Sequence, residues 1–137
     1  MRERKEVQAV IFDEANGKRK FLLIKMLDLK DNRYHWRLVK GGVEKGETEE
    51  EALKREIKEE VGLENIQIIS KIYNYNFIFQ DVDHIISTFS VKGSMEEKPI
   101  LGIDGDRPII KCKWASKFQA MKMLYWKDEK TAIRKSC

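Results

Sequence analysis

Two spacings of apolar residues alternate along this chain and divide it into strands and helices. Val7–Asp13 (VQAVIFD) and Lys20–Leu27 (KFLLIKML) are short apolar-rich runs, joined by a polar segment that contains Asn16–Gly17. An Asn-Gly pair accepts the positive φ angles of a tight turn, so these runs predict a β-hairpin. Leu29–His35 reads as a polar loop and Trp36–Val39 as a short apolar stretch, followed by the glycine-punctuated KGGVEKGE. The spacing then changes: Ala52, Leu53, Ile57 and Val61 recur at helical intervals. Thr48 with Glu51 three residues on matches a capping box, and Gly62 supplies a stop, which predicts a helix over Glu49–Val61. Ile66–Gln80 and His84–Lys92 are rich in β-branched and aromatic residues and predict a second hairpin turning at Asp81–Asp83. Beyond a loop at Gly93–Arg107, Pro108–Trp114 reads as a strand, and Ser116 caps a helical region running through Phe118, Met121, Leu124 and Tyr125 toward Ile133. The order predicts one mixed α/β domain with a largely antiparallel sheet, without internal repeat or linker.

Composition narrows the class. The chain has 137 residues, 42% apolar and 36% charged, which suits one domain with a charged surface. No apolar run approaches the roughly 20 residues needed to span a bilayer. The opening MRERKEVQAV lacks the apolar stretch of a signal peptide, so a cytoplasmic protein is expected, without a membrane partner. Cys112 and Cys137 form no metal-ligand spacing, and His35 and His84 are too few and too far apart for a zinc site. Net charge is +4, unevenly spread: acids dominate between Glu44 and Glu60, whereas Lys111 to Lys135 is basic. A basic surface around an acidic cluster suits a polyanionic substrate held through divalent metal, or weak attraction to nucleic acid.

The acidic cluster itself has two readings. On a helix, Glu56 lies one turn from Glu60 and is the i−3 neighbour of Glu59, so all three carboxylates point to one side. They repel unless cations join them, and hard ions such as Mg²⁺ prefer such oxygen ligands. The competing reading is a solvated helix face laced with ion pairs. Glu51–Arg55 is a favourable pair of that kind; Lys54–Lys58 is not.

Motif spacing bears on that choice. Gly41 is followed after five residues by Glu47, and after seven more by Arg55-Glu56-Ile57-Lys58-Glu59-Glu60-Val61-Gly62-Leu63. This resembles the Nudix box, with every specified position filled. The resemblance implies a Nudix-type α/β/α sandwich that hydrolyses a diphosphate linked to another group, usually a nucleoside, with Mg²⁺ or Mn²⁺. It further implies Glu56, Glu59 and Glu60 as metal-binding carboxylates, with a main-chain carbonyl at Gly41 joining the metal. Arg55, partnered by Glu47, would orient the glutamates, and a box glutamate or a loop acid would deprotonate the attacking water. Ile57, Val61 and Leu63 would be structural.

Substrate contacts must come from outside the box. His35-Trp36-Arg37-Leu38-Val39-Lys40-Gly41-Gly42 resembles the Trp-x-x-Pro-Lys-Gly lead-in of many members, including diadenosine tetraphosphate hydrolases, with Val39 in place of proline. Lys40 and Arg37 are expected at substrate phosphates. Tyr73, Tyr75, Phe77 and Phe79 alternate and so share a strand face, either as core or as a base-stacking surface. Tyr73 and Tyr75 are the candidates for stacking. The loop acids are Glu96, Glu97, Asp104 and Asp106, of which Asp106 is expected to reach the metal. The segment Trp114–Met121 is similar to the closing helix of the diadenosine tetraphosphate hydrolase branch. Asymmetric cleavage of a dinucleoside tetraphosphate is therefore the leading expectation. The alternatives are (d)NTP or ADP-ribose pyrophosphatase, an RNA 5′-end pyrophosphohydrolase using Lys127, Lys130 and Arg134, and a non-catalytic nucleotide-binding module. Nothing in the sequence sets the oligomeric state.

Overall fold

A computed structural model describes residues 1–137. β1 (Arg2–Ala15) and β2 (Lys18–Asp28) form the expected hairpin, turning on Asn16 and Gly17 at φ of 53° and 75°. There follow β3 (Arg33–Arg37), β4 (Val39–Gly42), α1 (Glu49–Val61), β5 (Gln67–Phe79) and β6 (Val82–Lys92). The chain closes with β7 (Ile103–Asp104), β8 (Arg107–Pro108), β9 (Lys111–Ser116), α2 (Lys117–Met123) and α3 (Lys127–Lys135). No helix is long and apolar enough to cross a membrane.

Seven strands form one mixed sheet, and β7 and β8 form a separate two-stranded ribbon. β1 is the axis of the sheet. Along one edge it pairs β4 through Glu6–Ala9 and β2 through Phe12–Ala15, both antiparallel. Along the other edge β6 runs parallel to it, from Arg2 opposite Val82 to Phe12 opposite Lys92.

Strand alternation sends apolar residues to both faces of this sheet. Val7, Ala9 and Ile11 of β1, with Leu22, Ile24 and Met26 of β2, pack against Ala52, Leu53, Ile57 and Val61 of α1. Val10, Phe12, Phe21 and Leu23 face the other way, against Ala120, Leu124, Ala132 and Ile133 at the C-terminal helices. The result is the expected α/β/α sandwich. The C-terminal helical region differs from expectation, because it is two helices rather than one. Leu124 adopts an extended conformation (φ −66°, ψ 137°), bridges to Trp36, and buries its side chain. The expected strand Pro108–Trp114 also begins later. Proline has no N–H to give a ladder, and pairing with β2 starts at Lys111, opposite Lys25.

The ends of α1 matter most for the site. At its start the Thr48 hydroxyl accepts from Glu51 N–H, and the Glu51 carboxylate accepts from Thr48 N–H. At its end Gly62 takes φ 69° and donates to the Lys58 carbonyl. The next free carbonyls are met by an incoming segment: Ile100 N–H bonds Val61 O at 2.8 Å and Gly102 N–H bonds Glu60 O at 2.9 Å. A Cβ on Gly102 would lie 1.8 Å from the Glu59 carbonyl oxygen, so only glycine permits this approach. The β7–β8 ribbon is thereby hooked onto the acidic end of α1.

Candidate active site

The same helical stripe that buries Leu53 and Ile57 carries two acids inward. Glu56 is 6% exposed and Glu60 fully buried, whereas the Glu59 side chain is 49% exposed. Glu56 lies on the Cα of Gly41, where an added Cβ would sit 2.0 Å from its carboxyl carbon. β1 holds that glycine in place, since Val7 pairs Gly41 and Glu6 pairs Gly42. From the hooked ribbon comes Asp104. Oxygens of Glu56, Glu60 and Asp104 all lie within 4.8 Å of one another.

Electrostatically this cluster is unbalanced. Neither oxygen of Glu60 meets a donor from outside the cluster. Burial, then the charge of Asp104 and the close carboxyl contact with Glu56, pushes its carboxyl well above the ordinary range. Burial also raises Glu56 and Asp104, against the pull of Arg55 on the first and of Arg107 and Lys40 on the second. A buried carboxylate with no donor is costly. An oxygen-only donor set of this kind fits a hard divalent ion such as Mg²⁺ or Mn²⁺.

Arg55 organises the rim. Its Nε and Nη2 hold both oxygens of Glu47, at 2.7 and 2.9 Å, and Nη2 also bonds the Gly42 carbonyl at 2.8 Å. Its Nη1 reaches Glu56 at 2.8 Å and Glu59 at 3.3 Å. The Arg55 hydrogen bonds, helped by Glu44 N–H, hold the Glu47 carboxyl down at about 2. One guanidinium thus ties the glycine loop to the helix that carries the acids.

Other residues marked from the sequence fall elsewhere. Asp106 is exposed at the turn of the ribbon, because the strand hooked to α1, and not the turn, faces the helix; Asp104 takes the place expected for it. Arg37 is buried, with Nη1 held by Asp28 at 2.7 Å and Nε by Glu129 at 2.8 Å, and it lies in the lining of the cleft described below. Tyr73 bonds Asp128 and Tyr75 bonds Gln8, which turns both away from the open part of the sheet and toward α3. The aromatic stripe is therefore split, its first half covered and its second half, Phe77 and Phe79, facing a cleft. Lys40 does reach that cleft, with Nζ 2.7 Å from Glu6.

The cleft holds about 630 Å³, and its lining includes Glu6, Lys30, Lys40, Phe77, His84 and Asp104. A smaller hollow of about 370 Å³, bounded by Arg55, Glu56 and Glu59, shares Arg4, Val43 and Asp104 with it. Phosphate-sized groups at the carboxylates thus open directly onto a cationic groove. Phe77 belongs to the alternating aromatic stripe, whereas Glu6, Lys30 and His84 carried no local signal for this cleft, since they converge on it from separate parts of the chain.

A model of the NUDIX domain matches residues 2–135. The chain belongs to the Nudix family. It is similar to an RNA pyrophosphohydrolase of a Nitratiruptor species, with 37% identity over 71 residues, 51% of this chain and 44% of that one. This Nudix chain spans less than half the length of the curated relatives it matches, 44% of one and 26% of another. Among solved structures it resembles a C. elegans Ap4A hydrolase binary complex, with TM-score 0.82 and 24% identity over 96% of this chain and 93% of that one. It also resembles the E. coli dihydroneopterin triphosphate pyrophosphohydrolase, with TM-score 0.74 and 22% identity over 95% and 92% of the two chains. These structural likenesses are likenesses of fold.

Proposed function

We propose that this Nudix chain hydrolyses a pyrophosphate bond in a nucleoside diphosphate-linked substrate, with Mg²⁺ or Mn²⁺ as cofactor. The observation that carries the reading is Glu60, a fully buried carboxylate beside Glu56 and Asp104 with no donor from outside that cluster. Those three acids would hold the ion, against the main chain at Gly41. Bound there, a divalent ion supplies charge neutralisation to the phosphate chain and acidity to water.

The chain's own residues supply the rest. Arg55 fixes Glu47, Glu56 and Glu59 relative to the glycine loop and keeps their geometry from collapsing under repulsion. Glu59 faces the smaller hollow and remains half-exposed, which supports it as the carboxylate that would accept a proton from the attacking water. Lys40 adjoins Gly41 and uses only part of its donor capacity on Glu6, leaving N–H groups for substrate phosphate.

For the substrate, a dinucleoside tetraphosphate cleaved asymmetrically is the reading we favour. It rests on the volume of the cationic cleft beside the carboxylates, about 630 Å³, and on the likeness to the Ap4A hydrolase fold. A 5′-triphosphorylated RNA end is the second reading, favoured by the names of the curated relatives. The test is a panel of diadenosine tetraphosphate, dNTPs, ADP-ribose and triphosphorylated RNA with Mg²⁺, with products resolved by chromatography. Turnover of the tetraphosphate to ATP and AMP, abolished by EDTA, is expected. Inactivity on dinucleoside polyphosphates removes the favoured substrate, and full activity in EDTA removes the metal reading.

A further inference from the structure

The cations on the cleft floor are not equivalent. Arg37 has two acid partners, Asp28 and Glu129. Lys40 has Glu6, and Arg107 has Asp104 together with the Leu27 carbonyl. Lys30, half-buried among them, has no carboxylate at its ammonium. Its Nζ stands instead 3.4 Å from the centroid of Phe77 and 4.6 Å from that of Trp126. Burial and the neighbouring charges of Arg37 and Lys40 depress its pKa, against the weaker pull of Asp28 and Glu129.

The position is built rather than incidental. Lys30 N–H bonds Asp28 Oδ1 at 2.9 Å, which fixes the backbone. Asp28 Oδ2 accepts from Trp126 Nε1 at 2.6 Å, which fixes one aromatic wall. The other wall is held from beneath: Phe77 stacks on His84 at 4.6 Å and 5°, and His84 Nδ1 is hydrogen-bonded to Glu6. A stacked imidazole and an ammonium 3.4 Å from the same centroid cannot share a face, so Lys30 occupies the opposite one. Aromatic faces stabilise a cation while leaving its N–H groups open to an anion.

Lys30 is also remote from the reaction centre. Gly41 pairs Val7, whereas Phe77 pairs His84, which in turn lies opposite Arg4. That offset of three residues along β1 is about 10 Å at strand spacing. The cleft joins the two positions, since Asp104 lines it together with Lys40, Phe77 and Lys30. On that offset a diphosphate held at Glu56, Glu60 and Asp104 would end short of the Phe77 wall, and a longer chain would reach it.

We propose that Lys30 is a specificity-determining residue that binds a phosphate distant from the scissile bond, so that the cleft selects chains of three or more phosphates. The proposal deepens the reading of this cleft as a pyrophosphohydrolase site and rests on it. Its test, however, requires no turnover. The methylene-bridged, non-hydrolysable forms of tripolyphosphate and pyrophosphate are titrated calorimetrically, with saturating Mg²⁺, into the full chain and into Lys30→Met and Lys30→Arg. Methionine keeps an apolar stem against Phe77 and Trp126 while removing the charge, and arginine restores it. Tripolyphosphate affinity is expected to fall about 10-fold in Lys30→Met and to return to within about 3-fold in Lys30→Arg, as for loss and recovery of one charge-assisted hydrogen bond. Pyrophosphate affinity is expected to move less than about 2-fold. Equal losses for the two anions, an unchanged tripolyphosphate affinity in Lys30→Met, or no tripolyphosphate binding to the wild-type chain at millimolar concentration would each overturn it. An inactive substrate panel combined with the expected titration would instead overturn the hydrolase reading while leaving the anion site standing.

Discussion

Two groups of buried charges sit on this fold and differ in one respect. On the α3 side, Asp28 and Glu129 converge on Arg37, and Gln8, Trp126 and the Leu38 N–H fill the remaining acceptors. Every carboxylate there has donors. On the α1 side, Glu56, Glu60 and Asp104 converge on one another, and Glu60 has no donor from outside that cluster. The first group is a finished structural joint that ties α3 to the sheet. The second is complete only with a cation from outside. Burial alone does not mark a site; burial with the charge left open does.

The contrast can be broken from either side. The largest expected effect is on turnover: Glu60→Gln should lower kcat by about 10³-fold, as loss of a principal charge at the reacting phosphate does. The metal-free variant should melt no lower than wild type, because a repelling charge has been removed. Measurement of kcat alongside a thermal melt checks both, and wild-type turnover in the variant would end the metal reading. In the balanced group the effect should fall on stability instead. Arg37→Met leaves Asp28 and Glu129 buried without their cation and should cost about 3–5 kcal/mol in urea unfolding. A loss below about 1 kcal/mol, the scale of a single exposed ion pair, would show that the joint is not a stabilising element.

Smaller effects refine the picture. Arg55→Ala frees Glu47, Glu56 and Glu59 while leaving all three acids of the ion set in place, and should reduce kcat by about 10–100-fold with the fold intact, as loss of a ligand-orienting contact does. Circular dichroism and steady-state kinetics separate that outcome from unfolding. The smallest expected effect is on pH dependence. The raised carboxyls of Glu60, Glu56 and Asp104 keep protons to higher pH in the native state than in the unfolded one. The native state then binds more protons, so the stability of the metal-free chain should rise as pH falls toward the ordinary carboxylate range. Glu47 has the opposite sign. Held near 2, its contribution is present above the ordinary glutamate pKa and is lost only as pH falls from there toward 2. A metal-free melting temperature that rises by a few degrees between about pH 8 and pH 6, with the slope flattened by Mg²⁺, is the expected outcome. A falling one would contradict the assignment of protons.

Much of this was legible in the sequence wherever the information is local. Thr48, Glu51 and Gly62 mark both ends of α1, and Asn16–Gly17 marks the first hairpin; each acts within a few residues of itself. Helical spacing also places Glu56 and Glu60 one turn apart in the cluster, whereas Glu59, expected beside them, stays half-exposed at the rim. What was not legible depends on partners far along the chain. The parallel pairing of β6 with β1, and the extended Leu124 that separates α2 from α3, are set by packing across the sheet. Asp104 and Asp106 are equivalent as loop acids until Gly102 docks on the end of α1 and decides which of them faces Glu60. Arg37 lies beside the box in sequence, yet Glu129, 92 residues away, claims it. Lys30 is distinctive because Arg37, Lys40 and Arg107 around it each pair an acid, whereas its ammonium stands on the faces of Phe77 and Trp126.

The central claim is that the open group is a divalent-cation site and the closed group is not. Calorimetric titration of Mn²⁺ into the wild-type chain, Glu60→Gln and Arg55→Ala tests it without reference to any substrate. Saturable binding by wild type is predicted, weakened at least about 10-fold by Glu60→Gln and less by Arg55→Ala. Equal Mn²⁺ affinity in wild type and Glu60→Gln would contradict it.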